Sequence, residues 1–156
     1  MKPFHCVSQN YDETLAFAAK FAKALKKGDI VCLFGELGSG KTAFVKGLAK
    51  GFKMNTAHVH SPTFTLMNIY DGKLPLYHFD LYRITAGDLF NLGYEEFFYG
   101  QGVAAVEWSE RLGDLTPTDF WKVELKHAGE DKRDIRVFVQ GKKLRERFNG
   151  LERFLK

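Results

Sequence analysis

The chain has 156 residues and a formal net charge of +4, and 45% of its residues are hydrophobic. This length fits one domain with one core, and no stretch approaches the roughly 18 apolar residues of a membrane-spanning helix. Residues 1–5 lack the apolar core of a signal peptide, and Cys6 and Cys32 have no metal-binding spacing. We therefore expect a cytoplasmic protein with reduced thiols, with pairing of the two cysteines as the minor alternative.

The first predicted elements are a strand and a helix. Residues 4–7 favour a short edge strand. Asp12 suits the N-cap of a helix, and apolar residues recur at helical spacing from there to Lys26.

A phosphate-binding loop follows, between a predicted strand and a predicted helix. Residues 30–34 form a continuous apolar run that is typical of a buried strand. Residues 43–52 place apolar side chains on one face of a helix. Between them, residues 35–42 read Gly-Glu-Leu-Gly-Ser-Gly-Lys-Thr, the glycine-rich pattern that wraps backbone N–H groups around phosphate oxygens. The start of the helix faces the same anion.

This loop predicts a nucleoside triphosphate ligand, and a glycine-rich turn without a ligand is the alternative. Lys41 is expected to reach the β- and γ-phosphates, and the Thr42 hydroxyl is expected to bind Mg²⁺. Glu36 would repel phosphate from inside the loop, so we expect it to face solvent or a partner. The predicted nucleotide contacts within the loop are Gly38, Ser39, Gly40, Lys41, Thr42 and Ala43.

The rest of the chain alternates between strand and helix patterns. The predicted elements are a hairpin of residues 63–70 and 74–81, a mostly helical stretch over residues 86–99, an apolar strand over residues 103–106, and two strands over residues 121–126 and 135–139. The tight turn of the hairpin replaces the helical crossover that parallel strands require. We therefore expect a P-loop-type α/β domain with a mixed parallel and antiparallel sheet flanked by helices.

Residues 142–156 hold six basic and two acidic residues and thus account for the whole net charge. Leu144, Phe148, Leu151 and Leu155 recur at helical spacing, which predicts an amphipathic basic helix. Packing of this helix on the core, with a solvated basic face, is the favoured interpretation. Contact with RNA or with an acidic protein partner is the alternative.

Two acidic residues close apolar strands, where a Mg²⁺-nucleotide site needs carboxylates. Asp80 ends the run Tyr-His-Phe-Asp, and Glu107 ends the run Val-Ala-Ala-Val-Glu. Acids in such positions are costly unless they are paired or bound to a metal. A helix N-cap for Asp80 and a surface turn for Glu107 remain the alternatives.

Four ordered motifs give the chain a resemblance to a known family. They are residues 35–42, Ser61-Pro62-Thr63-Phe64, His78-Phe79-Asp80-Leu81-Tyr82-Arg83 and Glu107-Trp108-Ser109-Glu110-Arg111. In this order they resemble the TsaE (formerly YjeE) family, small bacterial P-loop ATPases that are needed to make threonylcarbamoyladenosine next to the anticodon of tRNA. The resemblance covers about residues 10–140 and leaves residues 141–156 unmatched.

The resemblance implies a role for each matching position. Lys41 and Asp80 would serve ATP hydrolysis, with Asp80 orienting water or acting through the metal's ligands. Thr42 and Glu107 would bind Mg²⁺, and Arg133 would contact the nucleotide. The resemblance also implies TsaD and TsaB as protein partners, with tRNA contacted indirectly or through the basic tail.

Three further residues or segments receive smaller roles. By resemblance, residues 61–63 form a switch-like loop in which Thr63 could sense the γ-phosphate. Trp108, beside the expected metal ligand, is expected to pack against the fold or to contact a partner. His78 shares a strand face with Asp80, so a hydrogen bond between them is one possibility.

The leading hypothesis is a Mg²⁺-dependent ATPase switch that is slow without its partners, since no arginine finger is evident. A small-molecule kinase is the first alternative, although this length leaves little room for a lid and an acceptor pocket. A GTPase is disfavoured because no asparagine precedes a lysine, as guanine selection commonly requires. A nucleotide-gated binding module with negligible turnover is the last alternative.

Overall fold

Seven strands form one mixed sheet in the computed structural model, which describes residues 2–60 and 67–155. The strands are β1 (Phe4–Ser8), β2 (Ile30–Phe34), β3 (Met67–Tyr70), β4 (Leu76–Asp80), β5 (Val103–Glu107), β6 (Phe120–His127) and β7 (Arg133–Gln140). The helices are α1 (Tyr11–Ala22), α2 (Lys41–Gly51), α3 (Ala86–Asn91), α4 (Glu95–Phe98), α5 (Arg145–Asn149) and α6 (Glu152–Leu155).

The order of strands in the sheet places four parallel strands at its centre. The order is β1-β7-β6-β2-β5-β4-β3. Strands β6, β2, β5 and β4 are parallel, whereas β7, β1 and β3 pair antiparallel with their neighbours. The predicted mixed sheet is confirmed. Because the carboxyl ends of parallel strands lie at one edge, the ends of β2, β4, β5 and β6 meet where ligands bind in open α/β sheets.

Strand β2 separates two apolar layers, because its successive side chains point to opposite faces. Val31 and Leu33 pack on the side of α1 and α2. Ile30 and Cys32 pack on the side of α3 and α4. All four side chains are buried, as expected for a central strand that is covered on both faces.

Helices α1 and α2 pack closely because α2 carries glycines at the contact. A Cβ atom on Gly47 would lie 2.5 Å from the Cβ of Ala18, and one on Gly51 would lie 2.4 Å from the carbonyl oxygen of Ala19. Larger residues at either position would push the helices apart. Since α2 begins at the phosphate-binding loop, this contact fixes the loop against the core.

Several predicted boundaries differ from the structure. The N-cap of α1 is Asn10 rather than Asp12, because the Asn10 side chain accepts a hydrogen bond of 2.9 Å from the Glu13 N–H. The helix predicted over residues 86–99 is split into α3 and α4 at Gly93, which has a φ of 77°. The strand predicted from residue 63 is observed from Met67, and residues 63–66 lie outside the described residues.

The C-terminal segment forms two short helices, α5 and α6, rather than one, with Gly150 between them. Its apolar residues Leu144 and Leu151 are buried in the core. The Arg147 guanidinium donates hydrogen bonds of 2.8 and 2.6 Å to the two carboxylate oxygens of Asp29, and one of 2.8 Å to the carbonyl of Ala24. These contacts favour the packed interpretation of the tail.

Both cysteines are free thiols, as expected. Burial in β2 raises the pKa of the Cys32 thiol to about 12, which keeps it protonated at neutral pH. Within residues 2–60 and 67–155, no helix combines the length and the apolar composition needed to cross a bilayer.

Candidate functional site

The phosphate-binding loop connects β2 to α2 in a conformation that requires glycine. Gly38 and Gly40 have φ angles of 77° and 106°, a region that side-chain-bearing residues rarely adopt. Gly40 is also the N-cap of α2 and has no side chain to hydrogen-bond the first helical N–H groups. A helix start without a side-chain cap is the arrangement in which backbone N–H groups bind anions. Ser39 is buried, and its hydroxyl has no hydrogen-bond partner among the described residues.

The Lys41 side chain is held against the loop by two carbonyls and an indole ring. Its Nζ donates hydrogen bonds to the carbonyls of Gly35 and Glu36, the latter at 3.0 Å. The same Nζ lies 4.0 Å from the centroid of the Trp108 ring, a cation–π contact. Burial lowers the pKa of Lys41 below its ordinary value, and the nearby carboxylates of Glu107, Glu110 and Asp80 oppose this effect.

Glu107 lies at the carboxyl end of β5 with its carboxylate directed to Thr42. The Thr42 hydroxyl donates to Glu107 at 2.9 Å to Oε1 and 3.0 Å to Oε2. Nε2 of His78 lies 2.5 Å from Glu107 Oε2, and the His78 side chain is fully buried. The two residues predicted to bind Mg²⁺ are therefore in direct contact, although they are 65 positions apart in the chain.

Asp80 stands next to Glu107 because the register of β4 and β5 pairs these two residues. Its Oδ1 accepts a hydrogen bond of 2.9 Å from the Tyr82 N–H. Burial raises the pKa of Asp80 above its ordinary value and Glu107 adds to the shift, whereas the Tyr82 N–H, His78 and Lys41 oppose it. The alternative of a helix N-cap is wrong for Asp80, because it closes a turn after β4 and α3 is capped by Thr85.

Arg133 begins β7, whose antiparallel direction brings its first residue to the carboxyl end of β6. Its guanidinium donates a hydrogen bond of 3.2 Å to the carbonyl of Gly38, inside the loop. Two further hydrogen bonds, of 3.2 and 2.9 Å, go to the carbonyls of Glu130 and Lys132. Arg133 therefore contacts the edge of the phosphate-binding loop across 95 positions of sequence.

One cavity of about 450 Å³ gathers all the residues predicted to bind nucleotide or Mg²⁺. Its lining includes Gly38, Ser39, Gly40, Lys41, Thr42, Ala43, Asp80, Glu107 and Arg133. Arg83 also lines it and was not singled out in the sequence, although it stands in the motif of residues 78–83. Glu36 is exposed, as predicted. The Ser61-Pro62-Thr63 motif lies outside the described residues.

The oxygen ligands at this site fit Mg²⁺. Mg²⁺ prefers hard oxygen donors and is usually held by one or two carboxylates with water and substrate phosphates. Here a hydroxyl and a buried carboxylate, Thr42 and Glu107, meet beside the loop. Among the described residues, no group of three or more His, Cys, Asp or Glu side chains forms a separate metal site.

Two contacts of this site were missed in the sequence. Trp108 was expected to pack or to bind a partner, and its contact with Lys41 was not foreseen; its φ of 57° turns the chain so that the ring lies over the lysine. His78 was considered as a partner of Asp80, but its hydrogen bond goes to Glu107. The sequence signal for both was their place in the motifs that contain Asp80 and Glu107, with His78 in β4 and Trp108 directly after β5.

Comparison with known proteins identifies relatives along most of the chain. The family model described as threonylcarbamoyl adenosine biosynthesis protein TsaE matches residues 8–135. The tRNA threonylcarbamoyladenosine biosynthesis protein TsaE of Bacillus subtilis is 42% identical over 142 residues, covering 90% of this chain and 89% of that protein. The protein of the same name from Treponema pallidum is 39% identical over 133 residues, covering 85% and 98%.

A solved structure has the same fold. The crystal structure of Bacillus subtilis YdiB superposes with a TM-score of 0.79 at 37% sequence identity. The match covers 97% of this chain and 95% of that one.

Proposed function

Because the chain belongs to the TsaE family, we propose that it is an ATP-binding and ATP-hydrolysing switch subunit required for threonylcarbamoyladenosine modification of tRNA next to the anticodon. The observation that carries this proposal is the cavity at the carboxyl edge of the sheet. It combines a phosphate-binding loop with Lys41, Thr42, Asp80 and Glu107.

Each of these residues has a role that its geometry supports. Lys41 exchanges the carbonyls of Gly35 and Glu36 for the β- and γ-phosphates, so that its buried charge keeps hydrogen-bond acceptors. The N–H groups at the start of α2 donate to the same phosphates. Thr42 and Glu107 hold Mg²⁺, which when bound neutralises negative charge on the phosphate oxygens.

Asp80 is proposed to orient the attacking water. It stands beside Glu107 in the sheet and lines the cavity with Lys41. One of its oxygens is held by the Tyr82 N–H, which fixes the carboxylate plane and leaves the second oxygen to accept a proton or a hydrogen bond from water. Burial raises the pKa of Asp80, which makes this carboxylate a stronger proton acceptor than an ordinary aspartate.

The site's surroundings support a dependence on partner proteins, for which we propose TsaD and TsaB. Leu37 and Tyr11 line the cavity and are 71% and 51% exposed, which leaves apolar surface beside the phosphate-binding loop. The Arg133 guanidinium donates its hydrogen bonds to three backbone carbonyls, so it is not placed as an arginine finger in this structure. A docking partner would cover this surface and supply transition-state charge, while the transfer of the threonylcarbamoyl group remains the partner's reaction.

The proposal is tested by measuring phosphate release from ATP by the purified chain with and without TsaD and TsaB. We expect Mg²⁺-dependent release that rises at least about tenfold in the complex, because partner groups complete such sites. Asp80→Asn is the matched control, since it keeps the shape of the side chain and should bind ATP while losing turnover. Transfer of phosphate to a small acceptor would establish a kinase instead, and equal rates with and without partners would overturn the switch.

The biological role is tested in cells that lack this modification. The wild-type gene should restore threonylcarbamoyladenosine in tRNA, and the Asp80→Asn variant should not. Restoration by both would remove ATP hydrolysis from the proposed role.

A further inference from the structure

His78 is a fully buried histidine whose two ring nitrogens both have partners. Nε2 lies 2.5 Å from Oε2 of Glu107, and Nδ1 lies 3.0 Å from the hydroxyl of Tyr70. The neighbouring strand carries an alanine, Ala105, opposite His78 in the register of β4 and β5. The small alanine leaves room on this face for the imidazole to reach Glu107, two positions further along β5.

The donors and acceptors of this cluster can be assigned in one consistent direction. A carboxylate oxygen only accepts, so Nε2 of His78 donates to Glu107. The Tyr70 hydroxyl has one proton and two possible acceptors, Nδ1 of His78 at 3.0 Å and the His60 carbonyl at 3.3 Å. With Nε2 as the donor of a neutral imidazole, Nδ1 is the nearer acceptor and takes this proton. The Tyr70 oxygen accepts at 3.2 Å from the Asn68 amide, which also donates at 3.0 Å to the carbonyl of His60. The resulting chain of hydrogen bonds runs from Asn68 through Tyr70 and His78 to Glu107, which Thr42 joins from the other side.

This chain of hydrogen bonds connects the site to the backbone at His60, which does not line the cavity. One end is the Thr42–Glu107 pair at the phosphate-binding loop. The other end is the backbone at His60, directly before the Ser61-Pro62-Thr63 motif in sequence. Strand β3, which carries Asn68 and Tyr70, holds the connection from the edge of the sheet.

We propose that His78 is a positioning residue for Glu107. Its Nε2–H holds the Glu107 carboxylate toward Thr42, in the orientation that Mg²⁺ requires. Its Nδ1 accepts from Tyr70 and so connects Glu107 to the segment at His60. This inference rests on the proposed function, since it assigns Glu107 to Mg²⁺. Side chains that orient metal ligands in this way typically change metal affinity by about 10- to 100-fold when they are removed.

Two isosteric substitutions separate the two nitrogens of the ring. In His78→Gln the amide nitrogen can take the place of Nε2 and donate to Glu107. In His78→Asn the shorter amide takes the place of Nδ1 and leaves Glu107 without this donor. Both variants bury one amide, and the folding stability of each is measured by urea unfolding without nucleotide.

The readout is the binding of a fluorescent ATP analogue, titrated with Mg²⁺ and repeated in EDTA. We expect His78→Asn to raise the Mg²⁺ midpoint by roughly tenfold or more and to leave affinity in EDTA unchanged. His78→Gln should remain within about threefold of wild type, since a donor to Glu107 is kept. If His78 had a merely structural role, His78→Asn would lower the affinity for the ATP analogue equally in Mg²⁺ and in EDTA, and that result would overturn the proposal. Equal Mg²⁺ midpoints for His78→Asn, His78→Gln and wild type would also overturn it.

Tyr70→Phe decides the question if His78→Asn does not fold. It removes only the hydroxyl that donates to Nδ1, and we expect a few-fold increase of the Mg²⁺ midpoint with unchanged affinity in EDTA. An unchanged midpoint in this variant would overturn the link to Tyr70. If wild type itself shows no dependence on Mg²⁺, the proposed function fails, whereas a normal wild-type titration with an unaltered His78→Asn variant contradicts only the role of His78.

Discussion

Two buried carboxylates stand at opposite ends of the central sheet and have different partners. Asp29 precedes β2 and is 6% exposed, and Glu107 ends β5 and is 3% exposed. Asp29 receives two hydrogen bonds from the Arg147 guanidinium and one of 2.7 Å from the Lys26 N–H. Glu107 receives its hydrogen bonds from an imidazole and a hydroxyl.

The difference separates an acid that fastens two parts of the fold from the acid that we propose to bind Mg²⁺. A bidentate guanidinium neutralises Asp29 and donates to both of its oxygens, so this pair fastens the C-terminal segment to the core. At Glu107, the partner Thr42 is itself a ligand type for Mg²⁺, and the nearby Lys41 donates to backbone carbonyls instead. Thr42 and Glu107 also line the cavity beside the phosphate-binding loop, whereas Asp29 and Arg147 lie away from it. We expect substitutions at the two ends to affect ligand binding and stability separately.

The largest expected effect is at the phosphate-binding end. Lys41→Ala should weaken binding of Mg²⁺-ATP by roughly a hundredfold or more, because each charge-assisted hydrogen bond to phosphate contributes about 1.5–3 kcal/mol. Calorimetric titration measures this loss. Lys50→Ala removes the same charge from an exposed position of α2 and should bind normally. Equal losses of affinity in Lys41→Ala and Lys50→Ala would show that Lys41 contributes only its net charge and no direct contact with phosphate.

Arg147→Ala tests the opposite end. We expect the free energy of unfolding to fall by about 2 kcal/mol, because Asp29 loses its hydrogen bonds to a charged partner. Urea unfolding measures this change. The free energy of unfolding of Arg147→Lys should lie between those of wild type and Arg147→Ala, because lysine cannot bind both carboxylate oxygens of Asp29 as a planar guanidinium does. The exposed Arg145, changed to alanine, serves as the control.

Affinity for Mg²⁺-ATP decides whether the two ends act independently. Below its unfolding transition, the Arg147→Ala variant should bind the nucleotide like wild type. If Arg147→Ala lost nucleotide affinity as well as stability, Asp29 and Glu107 would not act independently.

The smallest expected effect belongs to the exposed basic face of the C-terminal segment. Up to residue 155, the exposed cations of this segment are Lys142, Lys143, Arg145 and Arg153. Their joint replacement by glutamine removes charge and leaves the buried Leu144 and Leu151 in place. We expect tRNA affinity to change by no more than about twofold at physiological salt, since exposed charges are largely screened there. A salt-dependent loss of tenfold or more would instead assign this face to tRNA.

Local features of the site could be predicted from the sequence. The phosphate-binding loop is contiguous, and its glycines permit the backbone angles that residues 38 and 40 adopt. Asp80 and Glu107 could be identified because each closes an apolar strand. The mixed sheet could be predicted from the tight turn near Gly72, which allows only an antiparallel pair.

The predicted helix boundaries were wrong where two polar residues could each cap a helix, and where a glycine ended a helix within an apolar pattern. Asn10 and Asp12 are both good N-caps, and the choice depends on which side chain meets a free N–H group. Gly93 and Gly150 interrupt helices that the apolar spacing alone would continue.

The sequence by itself determined the position of the glycine-rich loop between β2 and α2, the two acidic strand ends and the class of fold, because these depend on local sequence patterns and periodicities within a few residues. Only the tertiary structure decided that His78 binds Glu107 instead of Asp80, that Trp108 covers Lys41, and that Arg147 closes on Asp29. The first two contacts depend on which strands are neighbours and in which register, and the third depends on how α5 packs against the start of β2. Hydrophobic spacing along the chain carries no information on these tertiary arrangements.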